Sequence, residues 1–196
     1  ILSNDGGSGS DGDIFVNDAV AWASAHTLTL SAYRNIEINS PVVGGSGSTI
    51  VLRADNTGTG TGTAIKGASG MVNSAPDRYL HIYYNPASYA SPTDFNGLTG
   101  GGPYFAWMLV NDVNNLQAMS TNLGGKYALG RNIDASATAA WNSGAGFVPV
   151  GNSSTNFIGV LDGLNHSITG LTINRPATDN VGLFGYANGA TIQNLG

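Results

Sequence analysis

Short bursts of alternating apolar and polar residues punctuate this chain: Ile14 and Val16, Leu28 and Leu30, Ile36 and Ile38, Ile50 and Leu52. Alternation sends successive side chains to opposite faces, so each burst reads as a strand with one face inward. The bursts also recur. Residues 12–33 lie on residues 34–55 without a gap, which sets the four apolar pairs on one another and brings Asn17, Val20, Ser24 and Thr27 onto Asn39, Val42, Ser46 and Thr49. A unit of 22 residues holding two or three short strands cannot enclose a core alone. Its apolar face is buried only when copies stack. The period predicts an all-β chain, a parallel β-helix or solenoid built of such coils.

The far end of the chain carries a looser version of the same pattern. Setting residues 157–171 above 181–195 places Gly159 on Gly182, then, after one inserted residue, Ile168 on Ile192 and Leu171 on Leu195, an offset of 23 growing to 24. Strands are expected at 127–129, 147–150, 157–161, 167–173, 180–184 and 191–195. The expected organisation is a first stack over 1–73, an aromatic and Pro-rich insertion over 74–110, a flanking helix over 111–125 and a second stack over 126–196. The helix is predicted from a cap at Asn111 or Asp112, a 3 to 4 residue spacing of Val113, Leu116 and Met119 or Ser120, and a Gly124-Gly125 stop. In the insertion, prolines 86, 92 and 103 oppose a long regular element, and residues 79–107 hold nearly half of the chain's aromatic residues.

Composition narrows the class. The chain has 29 glycines, 10% charged residues and 41% hydrophobic residues, so something is buried and the glycines belong to coil corners. A net charge of −5 and seven scattered Lys and Arg residues leave no basic patch, which argues against a nucleic-acid partner. No window approaches the ~18 apolar residues of a membrane span. Without cysteine, an extracellular form would rely on stacking rather than disulfides. Both ends fall where a coil is under way, which predicts an excerpt of a longer fibrous protein whose partners are the flanking coils of the same chain.

The runs Tyr127-Ala-Leu-Gly-Arg-Asn-Ile-Asp-Ala-Ser, Gly146-Phe-Val-Pro-Val-Gly, Leu161-Asp-Gly-Leu-Asn-His-Ser-Ile, and Val181-Gly-Leu-Phe-Gly with Ile192-Gln-Asn-Leu-Gly resemble the GLUG repeats of large bacterial surface proteins. Leu28-Thr-Leu-Ser-Ala-Tyr-Arg-Asn-Ile-Glu-Ile-Asn is similar to repeats of filamentous-haemagglutinin-like adhesins of two-partner secretion. The resemblance implies a right-handed parallel β-helix, passage through an outer-membrane exporter, an extracellular or cell-surface location, and a role in attachment or biofilm cohesion. The secretion domain of that family carries an Asn-Pro-Asn-Gly type motif. Here only Asn85-Pro86-Ala87-Ser88 occurs, which points to the shaft rather than the secretion domain.

Three chemistries compete with this structural role. A polysaccharide-degrading β-helix needs two carboxylates converging on one sugar, yet Asp13 falls on Asn35, Asp18 on Ser40 and Asp55 on Tyr33. No catalytic residue is therefore assigned, and the chain is expected not to be an enzyme. Residues Gly6–Asp11 match the start of a calcium-binding nonapeptide, so Asp5, Asp11 and Asp13, with Asn4, are candidate ligands for Ca2+; a plain acidic corner is the competing reading. His26, His81 and His166 show no zinc spacing and are expected to face solvent. The third candidate is a platform for surface or matrix glycans or host proteins, with Tyr83, Tyr84, Tyr89, Asp94, Phe95, Tyr104 and Trp107 stacking on or bonding to sugars. Packing of Tyr79, Ile82, Tyr84 and Trp107 onto the shaft is its competitor. No cofactor is expected beyond the calcium candidate.

Overall fold

A computed structural model describes residues 1–4, 12–73 and 75–196. The chain divides into two compact units, one of residues 1–86 and 92–107, the other of 87–91 and 108–196. Among the described residues both are built mostly of short strands in parallel sheets, with few helical turns.

The first unit holds β1 (Ile14–Val16), β2 (Val20–Ala21), β3 (Thr27–Ser31), β4 (Ile36–Ile38), β5 (Pro41–Val43), β6 (Thr49–Arg53), β7 (Ala64–Lys66), β8 (Met71–Val72) and β9 (Tyr79–Tyr84). They run as three parallel ladders, β1-β4-β7, β2-β5-β8 and β3-β6-β9, and the chain visits one strand of each ladder in turn before returning to the first. Ile14 faces Ile36, Val20 faces Val42 and Leu28 faces Ile50, each pair 22 residues apart. That is the register the apolar bursts predict.

The next passage is longer. Ile36 faces Ala64, an offset of 28, and Pro41 and Thr49 face Met71 and Tyr79, an offset of 30. Most of the excess is one corner: residues 54–63 separate β6 from β7, where only 32–35 separate β3 from β4. The ladder therefore does not stop at residue 73. Residues 79–84, expected within an insertion, form β9 and continue the register of β6.

Inward positions make the core. Leu30, Ile36, Ile38, Val42, Ile50, Leu52, Leu80 and Ile82 are at most 2% exposed, each contributing roughly 1.5–3 kcal/mol relative to an exposed side chain. The polar rows are also matched: Asn39 Nδ2 donates to Asn17 Oδ1 at 2.9 Å. A single-turn helix, α1 (Asn96–Thr99), follows β9, with Leu98 and Thr99 buried.

Strand β10 (Phe105–Val110) begins in the first unit and ends in the second. The second unit continues with α2 (Val113–Ala118), β11 (Lys126–Leu129), β12 (Ile133–Asp134), β13 (Val160–Asp162), β14 (Ile168–Thr169) and β15 (Thr191–Gln193). The expected helix is present, with Asp112 rather than Asn111 as its cap: Asp112 Oδ1 accepts from the Asn115 N–H at 2.7 Å. Val113 and Leu116 form its buried face, continued by Met119 in the turn that follows.

The second-half offset is corrected. Tyr127 faces Leu161, 34 residues on, Ile133 faces Ile168, 35 on, and Leu161 faces Ile192, 31 on. Ile192 thus pairs with Leu161 and not with Ile168. Short Gly-aliphatic runs mark every side of these passages, so superposing them by sequence matched strands of different ladders. The segments expected as strands at 147–150 and 180–184 are reduced to bridges, Gly146 with Ile173 and Val150 with Phe184. Gly146 and Gly151 adopt φ of +78° and +75°, which bends the chain on either side of this segment, and Pro149 between them has no N–H to donate.

Candidate functional site

Alternation along β9 sends Leu80, Ile82 and Tyr84 inward and Tyr79, His81 and Tyr83 outward. On the neighbouring strand, Thr49, Val51 and Arg53 stand opposite those three outward residues. Phe105 and Trp107, from the first half of β10, complete an outward aromatic row within the first unit. The His81 and Phe105 rings lie 5.1 Å apart and 21° from parallel. Trp107 is 6.3 Å from His81 at 9° and 5.9 Å from Tyr83 at 12°. The Arg53 guanidinium carbon sits 5.2 Å above the Tyr83 ring centre, a favourable placement over the negative ring face.

One polar contact orients the row. Trp107 Nε1–H donates to His81 Nδ1 at 3.2 Å, which requires an unprotonated Nδ1 and so a neutral imidazole. Burial also lowers the His81 pKa below the usual histidine value. His81 lies on the outward face, as expected, but is half-buried among the neighbouring rings, and its register partner is the apolar Val51. The geometry is a mutual stack in which the faces of Tyr83 and His81 meet other groups. What the row presents outward is mainly ring edges, together with Tyr79 and Phe105, 53% and 39% exposed.

The residues expected to form a glycan platform separate into three groups. Tyr84, Tyr89 and Phe95 are core residues, at 0%, 6% and 4% exposure. Tyr84 OH accepts from the Thr93 N–H at 3.0 Å and its ring meets Phe95 edge-on at 5.0 Å. Tyr89, in the second unit, donates its OH to the Leu109 carbonyl at 2.6 Å and meets Tyr127 edge-on. Asp94 and Tyr104 form a surface pair: Tyr104 OH donates to Asp94 Oδ1 at 3.1 Å, beside the Asn96 N–H at 2.8 Å. Only Tyr83 and Trp107 stand in the outward row. Sequence reasoning missed His81, Phe105 and Arg53, although the alternation through Tyr79-Leu80-His81-Ile82-Tyr83 carries the signal.

Several acidic residues of the described chain are occupied by its own donors. Asp13, a calcium candidate, takes a two-pronged contact from Arg34, Nε to Oδ1 at 3.0 Å and Nη2 to Oδ2 at 2.7 Å, and the Asn35 N–H at 2.8 Å. The Arg34 bond, above the other contacts, lowers its pKa despite the opposing effect of burial. Asp5 and Asp11 lie outside the described residues. Asp55, fully buried, accepts from Thr59 N–H (2.6 Å), Thr59 Oγ1 (2.8 Å), Gly60 N–H (2.9 Å) and Asn85 Nδ2 (2.9 Å). Asp162 accepts from Leu164 N–H, Gln193 Nε2 and Asn194 Nδ2 at 2.8–3.0 Å. Burial would raise the Asp162 pKa, but these bonds outweigh it and the net shift is downward. No cluster of three or more His, Cys, Asp or Glu residues suited to a metal occurs among the described residues.

No family model and no solved structure matches this chain. Over 159 residues the chain is 31% identical to halomucin of Haloquadratum walsbyi (strain DSM 16790 / HBSQ001), a match covering 75% of this chain and 2% of that protein. The chain therefore spans only a small fraction of the relative it matches. No helix among the described residues is long and apolar enough to cross a membrane.

Proposed function

We propose that this chain is a stiff, non-catalytic shaft segment of a very large cell-surface or secreted protein, folded as a right-handed parallel β-helix and serving attachment or cohesion between cells. The observation that carries this reading is the order of the ladders. In the first unit the chain passes through three parallel sheets and returns to the first in register. Each return adds one layer, ~4.8 Å of axis, bonded to its neighbours through the backbone. Similarity to a stretch of a protein about fifty times longer than the match supports a place in a giant chain. The GLUG-type and filamentous-haemagglutinin-like runs favour an adhesin exported by two-partner secretion.

The test is replacement of residues 1–196 in the parent protein by a Gly/Ser linker of equal residue number. A flexible linker has no fixed span and resists bending poorly, whereas a stacked rod holds its ends at a set separation. Attachment should fall while surface display is unchanged. Full attachment with the linker in place would reject the shaft role.

A second reading, glycan binding, is favoured by the exposure of Tyr79 and Phe105 beside Trp107. Because the stacked rings cover one another, binding would depend on those two outer residues. Glycan-array binding that disappears in Tyr79→Ala with Phe105→Ala would support it, and binding unaffected by the pair would exclude it.

A further inference from the structure

Of the chain's 21 asparagines, only Asn152 and Asn165 begin an Asn-x-Ser/Thr triplet, Asn152-Ser153-Ser154 and Asn165-His166-Ser167. Such triplets arise often by chance in a chain rich in Asn, Ser and Thr, so the sequence alone carries little. The surroundings of the two carry more. Both residues are exposed and both lie at corners of the second unit, Asn152 after the positive-φ Gly151 and Asn165 itself at φ +65°.

At Asn152 the side-chain carbonyl is fixed and the amide nitrogen is free. Oδ1 accepts from the Ser154 N–H at 2.9 Å, the Thr155 N–H at 2.9 Å and Thr155 Oγ1 at 3.2 Å. Nδ2 makes no hydrogen bond to any described residue. Drawing donors onto Oδ1 polarises the amide, and the same turn brings the third residue of the triplet beside the first. Ser154 contributes only its backbone N–H to this turn, so its hydroxyl remains available to a modifying enzyme. Asn152 also lines a cleft of about 380 Å3 whose wall includes Arg175, Thr178, Asp179 and Asn180, groups able to bond sugar hydroxyls.

We propose that Asn152 is an N-glycosylation site, with Asn165 a second, and that the donor is a lipid-linked oligosaccharide. In the transfer, Asn152 Nδ2 forms a bond to the anomeric carbon. The bond from that carbon to the lipid phosphate oxygen breaks with the electron pair leaving on oxygen, and the amide loses one proton to a base of the transferase. Glycans at these corners project from the surface without disturbing the ladders, and hydrate a chain that is only 10% charged.

The test has two measurements. Glycopeptide mass spectrometry on the protein recovered from its source should find a glycan on the peptides of Asn152 and Asn165 and on no other asparagine. Expression with a secretion signal in a host that performs lipid-linked N-glycosylation should reproduce the Asn152 glycan, and Ser154→Ala should abolish it while Asn165 stays modified. Because Ser154→Ala keeps the backbone N–H, loss of the glycan cannot be assigned to loss of the turn. A wholly unmodified Asn152 in the source protein, or a glycan that survives Ser154→Ala, overturns the proposal; an unmodified Asn165 alone removes it for the second site.

Discussion

Replacing Asp55 should destabilise the first unit more than any other single polar change. The residue sits at the end of β6, fully buried, with φ at +50°, and its own N–H donates to the Arg34 carbonyl at 3.0 Å. Its carboxylate gathers the long corner through Thr59 and Gly60, and reaches the following strand end through Asn85. Three successive passages of the chain thus meet at one residue. Hydrogen bonds to a charged group contribute about 1.5–3 kcal/mol each, with heavy overlap when they share one acceptor. Since the corner can partly rehydrate, about 3–5 kcal/mol is expected for Asp55→Ala, a large part of the ~5–15 kcal/mol typical of a domain.

Two further substitutions separate the causes. Asp55→Asn keeps the shape but turns one acceptor into a donor that faces the Gly60 N–H or Asn85, and should cost about 2 kcal/mol, part of it recovered if the Asn85 amide turns round. Asp55→Gly loses the same bonds as Ala without the left-handed penalty, so it should lie about 1 kcal/mol above Ala. Urea melts read by circular dichroism give the midpoint shifts at constant slope. If Asp55→Ala and Asp55→Asn both unfold within about 0.5 kcal/mol of the parent, the corner is held by its backbone alone and the reasoning fails.

Other expectations follow from single contacts. Because folding lowers the His81 pKa below 6.5, the unfolded chain binds the proton more readily; stability from this group is full above about pH 6.5 and declines as pH falls through that value. His81→Phe should flatten that part of the stability profile, and an unchanged profile would show that His81 is not its source. Asn17→Ala should cost about 0.5–1.5 kcal/mol by removing the bond to Asn39, and Asn17→Ala with Asn39→Ala should cost less than the sum of the singles in a double-mutant cycle. Gly70→Ala would place a Cβ 1.7 Å from the Ile38 carbonyl oxygen, backbone that cannot turn aside; loss of cooperative unfolding is expected, and a soluble variant with parental stability would contradict the packing of that turn.

The first two coils were legible because nothing interrupts them. Every pairing from Ile14 with Ile36 to Leu30 with Leu52 is the pairing that a gapless superposition gives. Legibility ended where corners lengthened. Ten residues between β6 and β7 shifted the third passage to offsets of 28–30, so β9 lost its visible kinship with β6 although it occupies the same ladder. In the second unit the described ladders are two or three residue pairs long and the connections carry most of the length, which leaves too few alternating positions to fix a register. The aromatic candidates divide between core and surface for a related reason. Composition marks where rings are abundant, but only strand parity decides which face each takes, and Tyr83 and Tyr84, adjacent in sequence, take opposite ones.

The acidic residues bear most directly on function. Asp accounts for all but one of the 12 acidic residues, and its short side chain suits corners, where it can accept from a backbone N–H two or three residues on. Asp94, Asp112, Asp134 and Asp162 do this with Asn96, Asn115, Ser136 and Leu164. Asp55 and Asp162 go further and accept side-chain amides 30 to 32 residues ahead, from Asn85 and from Gln193 and Asn194. In each unit a buried carboxylate at the end of a strand thus ties its own corner to a later strand end. In Asp55 and Asp162 both carboxylate oxygens are turned toward the chain's own donors. Their bonds link passages where the backbone ladders stop, at the corners.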